Sequence, residues 1–101
     1  MSDAQLPGRF AKPAEKQFRR LPRAFQAAAL DELAAICAEP PGERSKPFLS
    51  LDGARIVRIR HDARMIYVVL PNLVLVLAIG WRGDVYKSAD RIKAILRNHQ
   101  P

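Results

Sequence analysis

The spacing of apolar and polar positions changes character near the middle of the chain, from a helical period to a strand period. Ala14, Phe18 and Leu21 fall at i, i+4 and i+7, while Lys12, Lys16, Arg19 and Arg20 face elsewhere, which predicts an amphipathic helix. Pro13 suits the first turn, where a backbone N–H would have no partner in any case. Glu15 and Arg19 form an i,i+4 pair. Pro22 closes this helix and opens a second from Arg23 to Ala38, with Phe25, Ala29, Leu33 and Ile36 or Cys37 on one face. Pro40-Pro41-Gly42 ends it, so the first half reads as a helical hairpin with one buried side.

After a loop over 39–47 the period becomes two. Phe48 to Leu51 is expected as a short strand ended by the turn dipeptide Asp52-Gly53. From Ala54 to Arg60, Val57 and Ile59 point one way and Arg58 and Arg60 the other. His61-Asp62-Ala63 connects to a strand from Arg64 to Leu70, and Pro71-Asn72 turns the chain into a third strand, Leu73 to Trp81. Both faces of that third strand are apolar, which predicts a central position covered on both sides. Connections this short make the three strands antiparallel neighbours. Beyond a Gly83-Asp84 turn, Ser88 is placed to cap a last helix with Ile92, Ile95 and Leu96 as its apolar side.

At the N-terminus, Pro7 and Gly8 leave at best a short edge strand over Arg9 to Ala11. Residues 1–8 are expected as a flexible tail and 9–101 as a single domain. The fold class is α+β: a helical hairpin packed on a small antiparallel meander, then a C-terminal helix.

Composition sharpens this picture in three ways. Apolar residues make up 49% of the chain, ample for a globular core. The single cysteine, Cys37, excludes an internal disulfide framework and a cysteine-rich zinc site; it fits a reducing cytoplasm, and on a stripe of Ile and Leu it reads as core rather than nucleophile. No charged-then-apolar secretory pattern opens the chain, and the apolar run Met65 to Ile79, broken by Pro71 and Asn72, is too short to cross a bilayer. The net charge of +7 is one-sided: residues 1–43 balance six cations with six acids, whereas 44–101 carry eleven cations and four acids. Such asymmetry points to a basic face for a polyanion.

Candidate chemistry is narrowed by what is missing. There is no glycine-rich phosphate loop, no nucleophile elbow and no His-Glu-x-x-His. His61 lies in a turn and His99 near the end of the chain, and Asp52, Asp62, Asp84 and Asp90 all stand at turns or helix starts, where aspartate caps. No metal site or cofactor is expected. What remains is cationic: Arg58, Arg60, Arg64 and Arg82, followed by Tyr86 and Lys87. Pairing the strands about their turns brings Arg60 toward Arg64, and the Arg64 end toward Trp81-Arg82. Three strands would then deliver guanidinium groups to one end of the sheet. Guanidinium forks bind phosphate oxygens at two points and stabilise charge that grows in a transition state. The alternative from pattern alone is solvated edge arginines with Tyr86 as a packing residue.

The run Phe18-Arg-Arg-Leu-Pro22, then Arg58-Ile-Arg60, Arg64-Met-Ile-Tyr67 and Gly80-Trp-Arg-Gly-Asp-Val-Tyr86, resembles the RelE/ParE toxin superfamily of type II toxin–antitoxin systems over about residues 9–96. The resemblance implies a fold like that of small microbial ribonucleases, and a toxin that cuts messenger RNA in the ribosomal A site without a metal or cofactor. In that reaction the 2′-hydroxyl attacks the adjacent 3′-phosphate and leaves a cyclic phosphate. It implies catalytic roles for Arg64 and Arg82, on the scissile phosphate, and for Tyr86, as general base. Arg58 and Arg60 would line the RNA cleft, with Lys87 beside it; Trp81 would either stack on a base or pack in the core. A cognate antitoxin would silence the toxin in the cytoplasm and provide its only link to DNA. The other branch of the superfamily implies a non-enzymatic toxin that poisons DNA gyrase. The pattern departs from the family in its interrupted first strand and in arginines where lysines are common.

Overall fold

The computed structural model describes residues 5–98. The chain runs β1 (Gly8–Phe10), α1 (Lys12–Arg19), α2 (Arg23–Ala38), β2 (Lys46–Pro47), β3 (Ala54–Ile59), β4 (Ala63–Val69), β5 (Val74–Trp81), α3 (Arg82–Tyr86) and α4 (Ala89–Asn98). One five-stranded sheet has the order β1-β5-β4-β3-β2. The expected meander β3-β4-β5 forms its antiparallel centre, and β5 lies inside the sheet with its first six residues buried on both faces. The expected α+β class and the hairpin–sheet–helix order are those of the structure.

The sheet is mixed rather than wholly antiparallel, because β1 pairs in parallel with β5, Gly8 opposite Val74 and Phe10 opposite Val76. The N-terminal residues reach this edge by hydrogen bonds that need no long strand. Leu6 N–H donates to the Cys37 carbonyl at 3.0 Å, and the Pro7 carbonyl accepts from Val74 N–H at 2.9 Å. The domain thus extends at least to Leu6, within the stretch 1–8 expected as a tail. Past Phe10, Gln17 of α1 replaces the missing strand: its side-chain oxygen accepts from Ile79 N–H at 3.0 Å. This satisfies an edge donor that would otherwise be stranded beside a helix.

Helices cover both faces. Ala14 and Leu21 around α1, and Ala29, Leu33, Ile36 and Cys37 of α2, pack on Val57, Ile59, Ala63, Met65, Tyr67, Val74, Val76 and Ile79. On the opposite face Val85 and Ile92, from α3 and α4, join Phe48, Leu51, Ile56, Ile66, Val68, Leu75, Leu77 and Ala78. Leu77 and Ala78 share one face because β5 carries an extra residue there. Ile66 pairs with Ala78 but Tyr67 with Val76, a bulge that shifts the parity of the strand.

Three expected boundaries are corrected. Phe48 to Leu51 is not a strand: Leu51 N–H donates to the Phe48 carbonyl and Ala54 N–H to the Leu51 carbonyl, so Phe48 and Leu51 are buried as the plug of a turn while Leu49 is 93% exposed. The preceding Lys46 and Pro47 pair with β3 instead. Arg60 falls outside β3 with φ of +57°. Gly83 and Asp84 lie within α3, not in a turn, and the Ser88 hydroxyl donates to the Asp84 carbonyl at 3.0 Å, closing α3. The side chains of Ile95 and Leu96, and all of His99, fall outside the described residues.

Candidate nucleic-acid interface

Strand register builds the site. Arg58 of β3 stands directly opposite Arg64 of β4, and Arg64 opposite Gly80 of β5. Like charges directly opposed across a ladder repel, so two adjacent arginines on a face whose neighbours are apolar are costly unless an anion joins them. Arg82 enters this group because β5 leads straight into α3, and its backbone N–H donates to the Asp62 carbonyl at 2.8 Å. Tyr86 follows four residues later, one helical turn along the same side of α3. Val85, 1% exposed, anchors that short helix in the core. The Tyr86 ring, 43% exposed, rests 5.9 Å from the ring of buried Phe48.

Together with Arg44 and Lys46, these residues line an open cleft of about 440 Å³. Its lining holds five cations and one phenol, and no carboxylate. Among the described residues the ion pairs are Glu15–Arg19 and Glu32–Arg44, so Lys46, Arg58, Arg64 and Arg82 have no carboxylate partner. The second pair is long, 3.8 Å, with Arg44 largely exposed, and leaves that guanidinium able to turn to an anion. Arg64 is the most constrained of the five: its Nη1 donates to the carbonyls of His61 and Ala63, each at 2.9 Å. A cleft of this composition suits a chain of phosphates.

The sequence-derived candidates do not all meet in one place. Arg58, Arg64, Arg82 and Tyr86 come together in the cleft. Arg60 does not share the face of Arg58; its left-handed backbone turns it toward the hairpin, with its guanidinium 5.3 Å from the centroid of the Phe25 ring. Trp81 also faces the hairpin, edge-on to Phe25 at 5.0 Å and 41% exposed, beside a second groove of about 370 Å³. Lys87 is exposed after α3 and is not among the residues lining the cleft. Arg44 and Lys46 escaped the sequence reading because they sit in a loop and a two-residue strand. Only the pairing of Lys46 opposite Ile56 places them beside Arg58.

Tyr67, the tyrosine of the Arg64-x-x-Tyr motif, is fully buried and reaches the cleft only through the loop it supports. Its hydroxyl donates to the Pro41 carbonyl. Burial pushes its phenol above the ordinary value of 10.0, against a downward pull from Ser45 and Arg55. Ser45 in turn accepts from Arg55 Nε at 2.8 Å, so the loop holding Arg44 is fastened from below. Burial likewise raises the Cys37 thiol above 9.0, which suits an inert core cysteine. Among the described residues no group of three or more His, Cys, Asp or Glu is placed to hold a metal ion, and no helix is long and apolar enough to cross a membrane.

No protein-family model matches the chain, and no curated protein sequence does. Solved structures do. A chain of the toxin–antitoxin complex RelBE2 from Mycobacterium tuberculosis is 25% identical, with a TM-score of 0.62 over 77% of this chain and 99% of that one. A variant of the E. coli toxin RelE in the free state is 21% identical, with a TM-score of 0.72 over 86% and 96%. The YoeB dimer from Staphylococcus aureus is 20% identical, with a TM-score of 0.69 over 78% and 99%. With this sheet order, helices on both faces and the arginine motifs at the sheet's end, the chain has the fold of the RelE-like toxin superfamily that its sequence resembles.

Proposed function

We propose that the protein is the toxin of a type II toxin–antitoxin system, a metal-free endoribonuclease that cleaves messenger RNA in the ribosomal A site and so stops translation. The observation that carries this reading is the meeting of Arg58, Arg64, Arg82 and Tyr86 in one cationic cleft. Arg64 and Arg82 hold the scissile phosphate and offset the charge that builds on its oxygens as the 2′-oxygen attacks phosphorus. Guanidinium groups stay protonated and cannot serve as bases. Tyr86 acts in its phenolate form: its oxygen takes the 2′-hydroxyl proton, the 5′-oxygen departs and is protonated by solvent, and a 2′,3′-cyclic phosphate remains. Arg44, Lys46 and Arg58 neutralise flanking phosphates.

A cognate antitoxin is the expected partner, a reading supported by the similarity to a chain of a toxin–antitoxin complex. Leu21, Ile79 and Val85 form the buried floor of the second groove, between the hairpin and α3–α4, and Trp81 stands at its edge. An amphipathic antitoxin segment fits such a surface. A toxin acting on messenger RNA at the ribosome would do so in the cytoplasm.

The test is a reconstituted translation reaction on one defined messenger RNA, with 5′ ends mapped for the wild type and for Arg82→Ala. Cuts within A-site codons, made by the wild type alone and only with ribosomes, are expected. Cleavage of naked RNA would remove the ribosome from the mechanism but keep the chemistry. Full activity of a folded Arg82→Ala protein would remove Arg82 from the site. Intact transcripts together with trapped gyrase–DNA complexes would favour the gyrase-poisoning branch.

A further inference from the structure

The turn between β3 and β4, residues 60–62, lies outside the cleft yet touches both arginines assigned to the scissile phosphate. The His61 carbonyl accepts from Arg64 Nη1 at 2.9 Å, and the Asp62 carbonyl accepts from the Arg82 backbone N–H at 2.8 Å. One short stretch of backbone therefore fixes a side chain on β4 and the start of α3. The same turn is fastened from the opposite side of the sheet by Arg60 over Phe25 at 5.3 Å, while Phe25 meets Trp81, the residue before Arg82, edge-on at 5.0 Å.

Two features argue that this fastening is more than a surface contact. Arg60 occupies the left-handed region at φ +57°, a conformation costly for any residue with a Cβ and free for glycine. That backbone turn carries the arginine away from the face of Arg58 and onto α2. Meanwhile Arg58, Arg64 and Arg82, lacking carboxylate partners among the described residues, repel one another and would spread apart in the absence of an anion unless something held them. Carbonyl oxygens of a clamped turn hold Arg64 Nη1 and the Arg82 backbone without neutralising the charge, which leaves the other nitrogens of Arg64 and the Arg82 guanidinium to bind phosphate.

We propose that residues 60–62 form a positioning element, clamped through Arg60 on Phe25, that sets the spacing of Arg64 and Arg82, so that Arg60 acts as a positioning residue rather than as a contact to RNA. The identification of the bound anion as RNA phosphate rests on the function proposed above; the mechanical coupling does not.

The test uses Arg60→Gly, which keeps the left-handed turn and removes the clamp, and Phe25→Leu, which keeps apolar packing and removes the ring. Amide hydrogen exchange is read by NMR on the free protein. Exchange at Arg82 is expected to rise about tenfold in either variant while Ile66 and Val76 in the sheet centre stay unchanged. Single-turnover A-site cleavage at saturating toxin should slow about tenfold, with the half-saturating concentration within about twofold, since alignment rather than affinity is lost. Arg60→Lys, which keeps a cation over the ring, should restore most of the rate. The double variant should be no worse than either single one, as for residues acting through one contact.

Unchanged Arg82 exchange in Arg60→Gly, multiplicative losses in the double variant, or faster exchange with an unaltered cleavage rate would each overturn the proposal. If the wild type cuts no RNA, the ribonuclease reading fails, and the exchange measurement still decides whether the clamp exists.

Discussion

Gly42 links the stability of the fold to the shape of the cleft, and replacing it with alanine separates two physical costs. Its backbone has φ of +101°, and a Cβ built there would lie 2.9 Å from Ile36 Cγ1 and 2.9 Å from the Tyr67 hydroxyl oxygen. The conformational penalty for a residue with a Cβ is about 1–2 kcal/mol. Overpacking against a helix side chain and a buried ring adds about 1–3 kcal/mol. Ile36 and Tyr67 are both fully buried and have no room to retreat. A total of about 3 kcal/mol would lower the melting temperature of a domain this size by roughly 12–24 °C. Gly53 provides the control, because φ is +86° there but no atom lies within 4 Å of the point a methyl group would occupy; Gly53→Ala should cost only the backbone part, about 1–2 kcal/mol. Urea denaturation of both variants, followed by circular dichroism, measures the difference. Equal losses in the two would refute the steric reasoning. The same displacement should reach the site, since Gly42 N–H donates to the Glu39 carbonyl within the loop that presents Arg44 and Lys46.

Tyr67→Phe leaves the Pro41 carbonyl with its weaker Ser45 contact alone and should cost about 1–2 kcal/mol at neutral pH by chemical denaturation. Because the folded phenol titrates above 10.0, the wild type binds that proton more tightly folded than unfolded. The associated stability is complete below pH 10 and declines as pH rises through the folded value; the phenylalanine variant should lack this part of the alkaline decline. Cys37, 4% exposed and with its thiol raised above 9.0, should react with a thiol reagent only at the rate of unfolding, which stopped-flow comparison in water and in urea would reveal. Lys46→Ala should weaken binding of a 2′-deoxy oligonucleotide and reduce the slope of log affinity against log salt by about 0.7, the value for one lost single-strand phosphate contact; an unchanged slope would take Lys46 out of the nucleic-acid path.

The order of elements was legible in the sequence because local forces decide it. Pro13, Pro22 and Pro40-Pro41-Gly42 punctuate two helices whose apolar stripes repeat at helical spacing, and short turns leave three strands no choice but to pair in series. Those pairings also brought the ends holding Arg58, Arg64 and Arg82 together, since register follows from turn position once one face must be buried. What local pattern does not contain is the conformation of single residues at element ends and the pairing of distant segments. Arg60 turns left-handed instead of continuing its strand, and the ring its guanidinium then meets, Phe25, lies 35 positions earlier in the chain. Whether the basic loop 44–46 faces the cleft depends on Lys46 finding Ile56, and whether Gly83-Asp84 bends or coils depends on Val85 finding the core. Sequence thus determined the elements, their order and the cationic character of the sheet's end. Tertiary packing alone decided which cations share the cleft, because a two-residue strand, a one-turn helix and a left-handed arginine are each too short to be stable without the contacts that hold them.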